Sequence, residues 1–252
     1  IGQYISVMLV IRYLSHCKTV DLKPKHLKPA AGYMKKDVTL GAAACSNQLA
    51  MMVVQLVMNK SLTYYGALSS YGQEIPLACA GIITKVNQVF FSIIIGISQG
   101  LQPIVSYNYG AKQYDRVKKG YLLAAKTGLT ISVIAFLIFQ IFPRQIIAIF
   151  GNGSEEYIRF AVSYFRIFLF FTFLNFIQPI TSNSFTAIGK PGLGMFLSLT
   201  RQILFLLPLI VILPFFIGID GILFAGPIAD GLAGAVAVFL MYRELKRPEY
   251  QV

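Results

Sequence analysis

Six apolar runs, each of about 20 residues or more, constrain this chain more than any other feature. A helix of that length crosses the roughly 30 Å hydrocarbon core of a bilayer. Backbone polar groups inside lipid have to be satisfied within their own helix. The sequence therefore predicts an all-α integral membrane protein. The runs lie at Val38–Met58, Ile75–Ile97, Tyr121–Phe142, Phe160–Ile180, Phe196–Ile217 and Ile222–Tyr242.

The composition supports a membrane protein rather than a soluble one. Hydrophobic residues make up 56% of the 252 residues and charged residues only 13%, whereas soluble domains carry about 25% charged residues. The net charge is +12, but the cations lie between apolar runs and no nucleic-acid recognition motif is present. We expect anionic membrane lipids as partners of these cations, and no nucleic acid.

The loops between the runs alternate between rich and poor in cations, which predicts the orientation. Cation-rich loops lie in the cytoplasm, so we expect a multi-pass protein of a bacterial-type inner (plasma) membrane with a cytoplasmic C-terminus. The cation-rich side holds Lys18, Lys23, Lys25, Lys28, Lys35, Lys36, Lys112, Arg116, Lys118, Lys119, Lys190, Arg243, Lys246 and Arg247. The opposite side holds Lys60, Arg144 and Arg159.

Four segments follow from the spans and the loops. Residues 1–14 are predicted to be the end of a preceding transmembrane helix, so the chain is predicted to be a fragment. Residues 15–37 form a basic cytoplasmic linker broken by Pro24 and Pro29, which either binds lipid phosphates or is simply solvated. Residues 38–243 form a six-helix transmembrane lobe, and 244–252 a cytoplasmic tail.

Polar residues at membrane depth predict a cavity or a bundle interior. A charge in the bilayer is costly unless it is paired or hydrated. On the second span, Lys85, Gln88 and Ser92 share one helical face. Lys85 either contacts a ligand or holds helices together by pairing with a carboxylate. The full set of cavity-lining candidates is Asn47, Gln48, Gln55, Lys85, Gln88, Ser92, Asn175, Gln178 and Asn183.

Asp230 is the candidate for ion coupling, because it is a carboxylate close to the middle of the sixth span. It either pairs with Lys85 across the bundle or binds a proton or a cation. Pro227 is expected to favour a kink nearby, as Pro179 is in the fourth span. Arg201 lies two turns into the fifth span and either snorkels to the cytoplasmic surface, which is the favoured interpretation, or contacts a substrate.

An enzyme is not expected. The sequence lacks a Walker loop, a GxGxxG fingerprint and an HExxH motif. Three cysteines and two histidines show no metal-ligand spacing, so no metal and no cofactor is expected. The stretch "FGNGSEE" predicts a turn followed by a helix that Ser154 caps.

The stretch "ISQGLQPIVSYNYGAKQYDRVKKG" resembles a signature in the second half of the multidrug and toxic compound extrusion (MATE) family. "SFTAIGKPG" and "LSLTRQILFLLPLIVILPFFIGIDGILFAGPIAD" are similar to later parts of the family in the same order. The resemblance covers nearly the whole chain. It implies the C-terminal half of a twelve-helix, two-lobe transporter whose central cavity opens alternately to each side.

The resemblance also implies a function: export of drugs or organic cations in exchange for sodium ions or protons, without ATP. The missing N-terminal lobe is then a partner. Some members hold a cation on acidic residues of their seventh and tenth helices. The matching positions here are near Asn47 and Asn175, neither of them acidic, so a sodium site of that kind is not expected. Either the missing lobe or Asp230 carries the coupling.

The signature stretch is interpreted as an elbow that ends the second span at the cytoplasmic face and lets the lobe rock. Gly100 and Pro103 are expected to bend it. Two alternatives to drug export remain: a flippase for lipid-linked oligosaccharides of the same superfamily, and a non-transporting scaffold or inactive half. The elbow candidates are Gln99, Gly100, Gln102, Pro103, Tyr107, Asn108 and Gly110.

Overall fold

A computed structural model of the chain describes residues 2–15, 31–151 and 153–247, and for some residues of the first two helices only the backbone. The described chain is helical. Its ten α-helices are α1 Gly2–Ser15, α2 Ala31–Ala67, α3 Glu74–Gly110, α4 Tyr114–Ile141, α5 Pro143–Phe150, α6 Glu155–Phe168, α7 Ile177–Ala187, α8 Pro191–Leu199, α9 Leu207–Ile217 and α10 Ile219–Leu245. A 3-10 turn, Phe170–Leu174, joins α6 to α7, and a π-helical segment, Thr200–Leu206, joins α8 to α9.

The chain divides into two compact units, 1–45 and 46–252. The first consists, where described, of α1 and the start of α2. Residues 31–37, predicted to belong to the linker, are helical. The predicted linker residues Pro24 and Pro29 lie outside the described residues.

The predicted spans coincide with long helices. Within the described residues, five are long and apolar enough to cross a bilayer: α3, α4, the combined α6–α7, the combined α8–α9, and α10. The remaining predicted span, Val38–Met58, is the first along the chain and lies inside α2. The prediction of an all-α membrane protein is confirmed.

The helix α10 forms the centre of the second unit. It packs against α6, α7, α8 and α9, and also against the 3-10 turn and the π-helical segment. Its inner face is made of small residues, among them Ala225, Ala229, Ala233 and Ala237, each almost fully buried. Small side chains let neighbouring backbones approach closely, which is the usual basis of helix association in lipid. The predicted kink at Pro227 does not interrupt α10, which is continuous through that residue.

The elbow candidates lie within a helix and do not form a break between two helices. All seven candidate residues from Gln99 to Gly110 lie inside α3, which continues through Pro103. The chain reverses only afterwards, at Ala111–Gln113, where Lys112 has a φ of 58°. Polar residues ended the predicted span because hydropathy measures lipid solubility, whereas a helix can continue into water. At about 1.5 Å per residue, α3 is roughly 55 Å long and exceeds the hydrocarbon core.

The fourth span is interrupted, but not where its proline predicted. Pro179 lies in the first turn of α7, where a missing N–H breaks no helical bond. The interruption comes just before it, at Phe170–Leu174. The proline ring clashes with the carbonyl four residues earlier, here that of Asn175, so the helix cannot run straight through that point.

The turn before α6 agrees with the sequence. The Ser154 side chain accepts a hydrogen bond from the Tyr157 backbone N–H at 3.2 Å. Glu155 and Glu156 occupy the first helical turn, where a carboxylate interacts favourably with the helix dipole.

Candidate functional site

A buried ion pair occupies the interior of the helical bundle. The Arg201 Nε donates to the Asp230 Oδ1 at 2.5 Å. The Asp230 side chain is 3% exposed and that of Arg201 19%. The interpretation of Arg201 as a snorkelling residue is therefore wrong, and the partner of Asp230 is Arg201 rather than Lys85.

Asn175 is the third member of this charge centre, because its side chain lies next to the Asp230 carboxylate. Asn175 directly follows the 3-10 turn, and Arg201 lies within the π-helical segment. Both interruptions pack against α10. Local departures from α-helical geometry of this kind occur often at functional sites, and interrupted helices line the ion and substrate sites of many transporters.

Two further candidates hold helices together. The Gln178 Nε2 donates to the Leu197 carbonyl of α8 at 2.6 Å. The Asn183 Nδ2 donates to the Ser98 Oγ of α3 at 2.6 Å, and that hydroxyl donates in turn to the Pro179 carbonyl at 2.7 Å. In this conformation both amides are engaged within the bundle, which is the interhelical role open to any lone amide in a span.

The polar face of α3 does not join the charge centre. Lys85, Gln88 and Ser92 are exposed, and the Ser92 hydroxyl donates to the Gln88 carbonyl of its own helix at 2.7 Å. This face is open in the described part of the chain. It is therefore available to a cavity, to lipid or to further protein.

The candidates on α2 lie apart from the charge centre as well. Gln48 and Gln55 are exposed and Asn47 is half-buried. The Gln55 Nε2 donates to the Asn59 Oδ1 one turn later at 3.0 Å. An open cavity of about 630 Å³ lies near the C-terminal end of α2. It is lined by Asn59, Lys60, Thr63, Tyr64, Ala67, Gln73 and Leu77.

The signature stretch builds the connection between α3 and α4. The Asn108 Nδ2 donates to the Ile104 carbonyl at 2.8 Å, and the Asn108 carbonyl accepts from the Gln113 N–H at 2.9 Å. The Tyr109 ring packs edge-on against Tyr114 with 5.5 Å between centroids. These contacts end α3 and set the start of α4, whereas Tyr107 is 78% exposed.

Two features were not predicted from the sequence. Glu244, at the end of α10, is 4% exposed and binds Lys190, which precedes α8, and Arg247. Phenylalanines gather around the 3-10 turn: Phe136, Phe170, Phe171 and Phe173. Aromatic residues are so frequent in this sequence, with 20 Phe and 14 Tyr, that no local pattern distinguished these four.

Comparison with known proteins decides the family. The MatE family model matches residues 43–212. The chain belongs to this family. MatE proteins, which are the MATE family that the signature resembles, are transporters and not enzymes, so the prediction that the chain is not an enzyme is confirmed by its relatives. The chain is thus a multi-pass membrane protein of the MatE family.

Individual relatives agree with this family and are longer than this chain. The multidrug export protein MepA of Staphylococcus haemolyticus is 24% identical over 94% of this chain and 50% of its own length. The FAD transporter of Shewanella oneidensis is 24% identical over 66% of this chain and 37% of its own length. The chain therefore spans about half the length of the curated relatives it matches.

Solved structures match the fold over the same half. The MATE multidrug transporter DinF-BH, solved in complex with a rhodamine dye, superposes with a TM-score of 0.82 at 31% identity, covering 99% of this chain and 54% of its own. A MOP superfamily transporter from Pyrococcus furiosus superposes with a TM-score of 0.81 at 18% identity. The prediction of half a MATE transporter is confirmed.

Proposed function

We propose that this chain is the C-terminal lobe of a cation-coupled exporter of drugs and organic cations in a bacterial plasma membrane. The observation that carries the proposal is the match over 99% of the chain to a transporter solved with a rhodamine dye. Curated relatives named as multidrug exporters support it. The missing N-terminal lobe would supply the opposite wall of the cavity, and alternating access would move one lobe against the other.

Asp230 is the coupling residue that this lobe offers. It is a deeply buried carboxylate, and the two helix interruptions pack against its helix, α10. A buried carboxylate changes its partners when it gains or loses a proton or a cation, since each partner offsets the cost of burying the charge. Loading of Asp230 with a proton or a sodium ion would release Arg201, and unloading would restore the pair.

Efflux of the rhodamine dye tests the export function. Cells that carry the full-length gene should lose preloaded dye faster than cells without it. The rate should fall when the proton or the sodium gradient is collapsed. Equal efflux with and without the gene would contradict drug export, and would leave the flippase and the scaffold as the remaining functions.

The isolated chain provides a second test of the two-lobe mechanism. Reconstituted alone into vesicles, these 252 residues should not accumulate the dye under an imposed ion gradient, because one lobe supplies one wall of the cavity. The full-length protein in matched vesicles is the control. Gradient-driven accumulation by the isolated chain would contradict the requirement for a second lobe.

A further inference from the structure

A cluster of four phenylalanines surrounds the 3-10 turn. The ring of Phe136, on α4, lies 5.9 Å from that of Phe170 and 5.4 Å from that of Phe173. Phe171 lies 5.3 Å from Phe170 and 5.6 Å from Phe173. Phe170 is 48% exposed, so the cluster is open on one side.

The phenylalanine cluster directly adjoins the charge centre. A Cβ placed on Gly231, the residue after Asp230, would lie 3.7 Å from the Phe171 ring. Asn175 follows Phe171 by about one helical turn and lies next to the Asp230 carboxylate. Aromatic faces attract cations, and the attraction strengthens where water is excluded. Aromatic faces beside a buried carboxylate are the chemistry that recognises an aromatic cation.

We propose that the phenylalanine cluster and Asp230 form a binding subsite for the ring system of an aromatic monocation, with Arg201 as the built-in cation that such a ligand displaces. This inference rests on the proposed function and assigns a place to its substrate. A ligand that replaces the guanidinium exchanges one positive charge for another, so the net charge of the buried site does not change. Arg201 is partly exposed, which gives its side chain a route away from Asp230.

Displacement at a single carboxylate also fits exchange transport. Asp230 can hold Arg201, a coupling ion or the ligand, but its oxygens are too few and too buried to hold all of them. Because the ligand and the ion cannot occupy Asp230 together, each weakens the binding of the other, and this couples their binding.

Equilibrium binding of the rhodamine dye, a planar aromatic cation, to the purified full-length protein tests the aromatic half of the subsite. Phe170→Ala and Phe171→Ala should each weaken binding roughly three- to tenfold, the loss expected for one aromatic contact. Phe150→Ala is the matched control, because Phe150 is 51% exposed on α5, and its affinity should equal that of the wild type. Phe170 and Phe171 variants that bind like Phe150→Ala would overturn the proposal.

The charged half is tested by Arg201→Gln. This variant should bind the dye about tenfold more tightly, since the dye no longer competes with a guanidinium for the carboxylate. Asp230→Asn added to Arg201→Gln should abolish the gain, and Arg201→Lys, which keeps the competing charge, should not show it. Unchanged or weaker binding by a folded Arg201→Gln would overturn the displacement. The Phe170 test does not depend on recovery of that variant, because truncating a half-exposed ring opens no buried cavity.

Failure of the subsite and failure of the export function give different results. Wild-type protein that exports the dye while the phenylalanine and arginine variants bind like the wild type would remove the subsite alone. Binding that follows the expected pattern, in a protein that exports no dye from cells, would remove the export function and leave the subsite.

Discussion

The Asp230 carboxylate pairs with the guanidinium of Arg201, which lies in the preceding interrupted span, α8–α9. Removing one member of a buried pair strands the other, which typically costs about 3–5 kcal/mol, whereas removing both charges is often close to neutral. We expect Asp230→Asn or Arg201→Gln to lower the midpoint of thermal unfolding of the full-length protein clearly. The double variant should be milder than either single one.

The same variants separate stability from coupling. If Asp230 carries the coupling ion, the double variant should remain folded but lose ion-driven efflux of the rhodamine dye. Lys85→Gln is the control, because Lys85 is exposed on α3 and its loss strands no charge, so its unfolding midpoint should match the wild type. Strictly additive losses in the cycle would show that Arg201 and Asp230 do not stabilise each other.

Single residues also show what a sequence can and cannot reveal about this centre. The depth of Asp230 along its span was enough to predict a buried, functionally suggestive carboxylate. Its partner was not predictable, because position along a span gives no information about which helices are neighbours in space. Arg201 near a cytoplasmic end fits snorkelling as well as pairing, and a π-helical segment, which changes the direction of the side chains after it, has no clear sequence signal.

Among the elements, α7 and α8 approach each other closely at a glycine, where a single side chain can test their packing. A Cβ on Gly194 of α8 would lie 2.5 Å from the Thr186 Oγ1 and 2.7 Å from the Ser182 carbonyl oxygen of α7. The Ser182 hydroxyl donates to the Gly194 carbonyl at 2.7 Å. Gly194→Ala should therefore separate the two helices and destabilise the protein by about 1–3 kcal/mol, the usual cost of overpacking.

Gly192, in the same helix, is the matched control for Gly194. A Cβ there meets nothing within 4 Å, so Gly192→Ala should be neutral or stabilise the protein by up to about 1 kcal/mol through helix propensity. Thermal unfolding of both variants measures the contrast. Equal unfolding midpoints for the two variants would contradict the close packing of α7 against α8.

Element positions were predictable and element ends were not. The apolar runs placed every long helix, because hydropathy over about 20 residues reports the membrane directly. The predicted second span ended too early, because polar residues precede Gly110. The helix α3 continues beyond the lipid, and Asn108 and Tyr109 stabilise its end. The interruption in α6–α7 was expected from Pro179, but the steric conflict acts on the turn before the proline.

For the molecule as a whole, the order of the spans and their loop charges predicts the orientation. Three crossings, by α4, α6–α7 and α8–α9, separate the turn at Lys112 from the turn at Gly218. One further crossing by α10 leads to Arg243. Lys112 and Arg243 should therefore lie on one side of the membrane and Asp220 on the other. Because the side with Lys112 carries more cations, we expect it to be cytoplasmic.

Labelling of single cysteines in intact cells checks this arrangement. The background is the full-length protein without Cys17, Cys45 and Cys79. The three test positions, Lys112, Asp220 and Arg243, all have exposed side chains. A membrane-impermeant maleimide should label Asp220→Cys from outside. It should reach Lys112→Cys and Arg243→Cys only after the cells are permeabilised. External labelling of Lys112→Cys and Arg243→Cys, with Asp220→Cys protected, would reverse the orientation. Labelling of Asp220→Cys and Lys112→Cys from the same side would contradict the three crossings themselves, and with them the assignment of α4, α6–α7 and α8–α9 as complete spans.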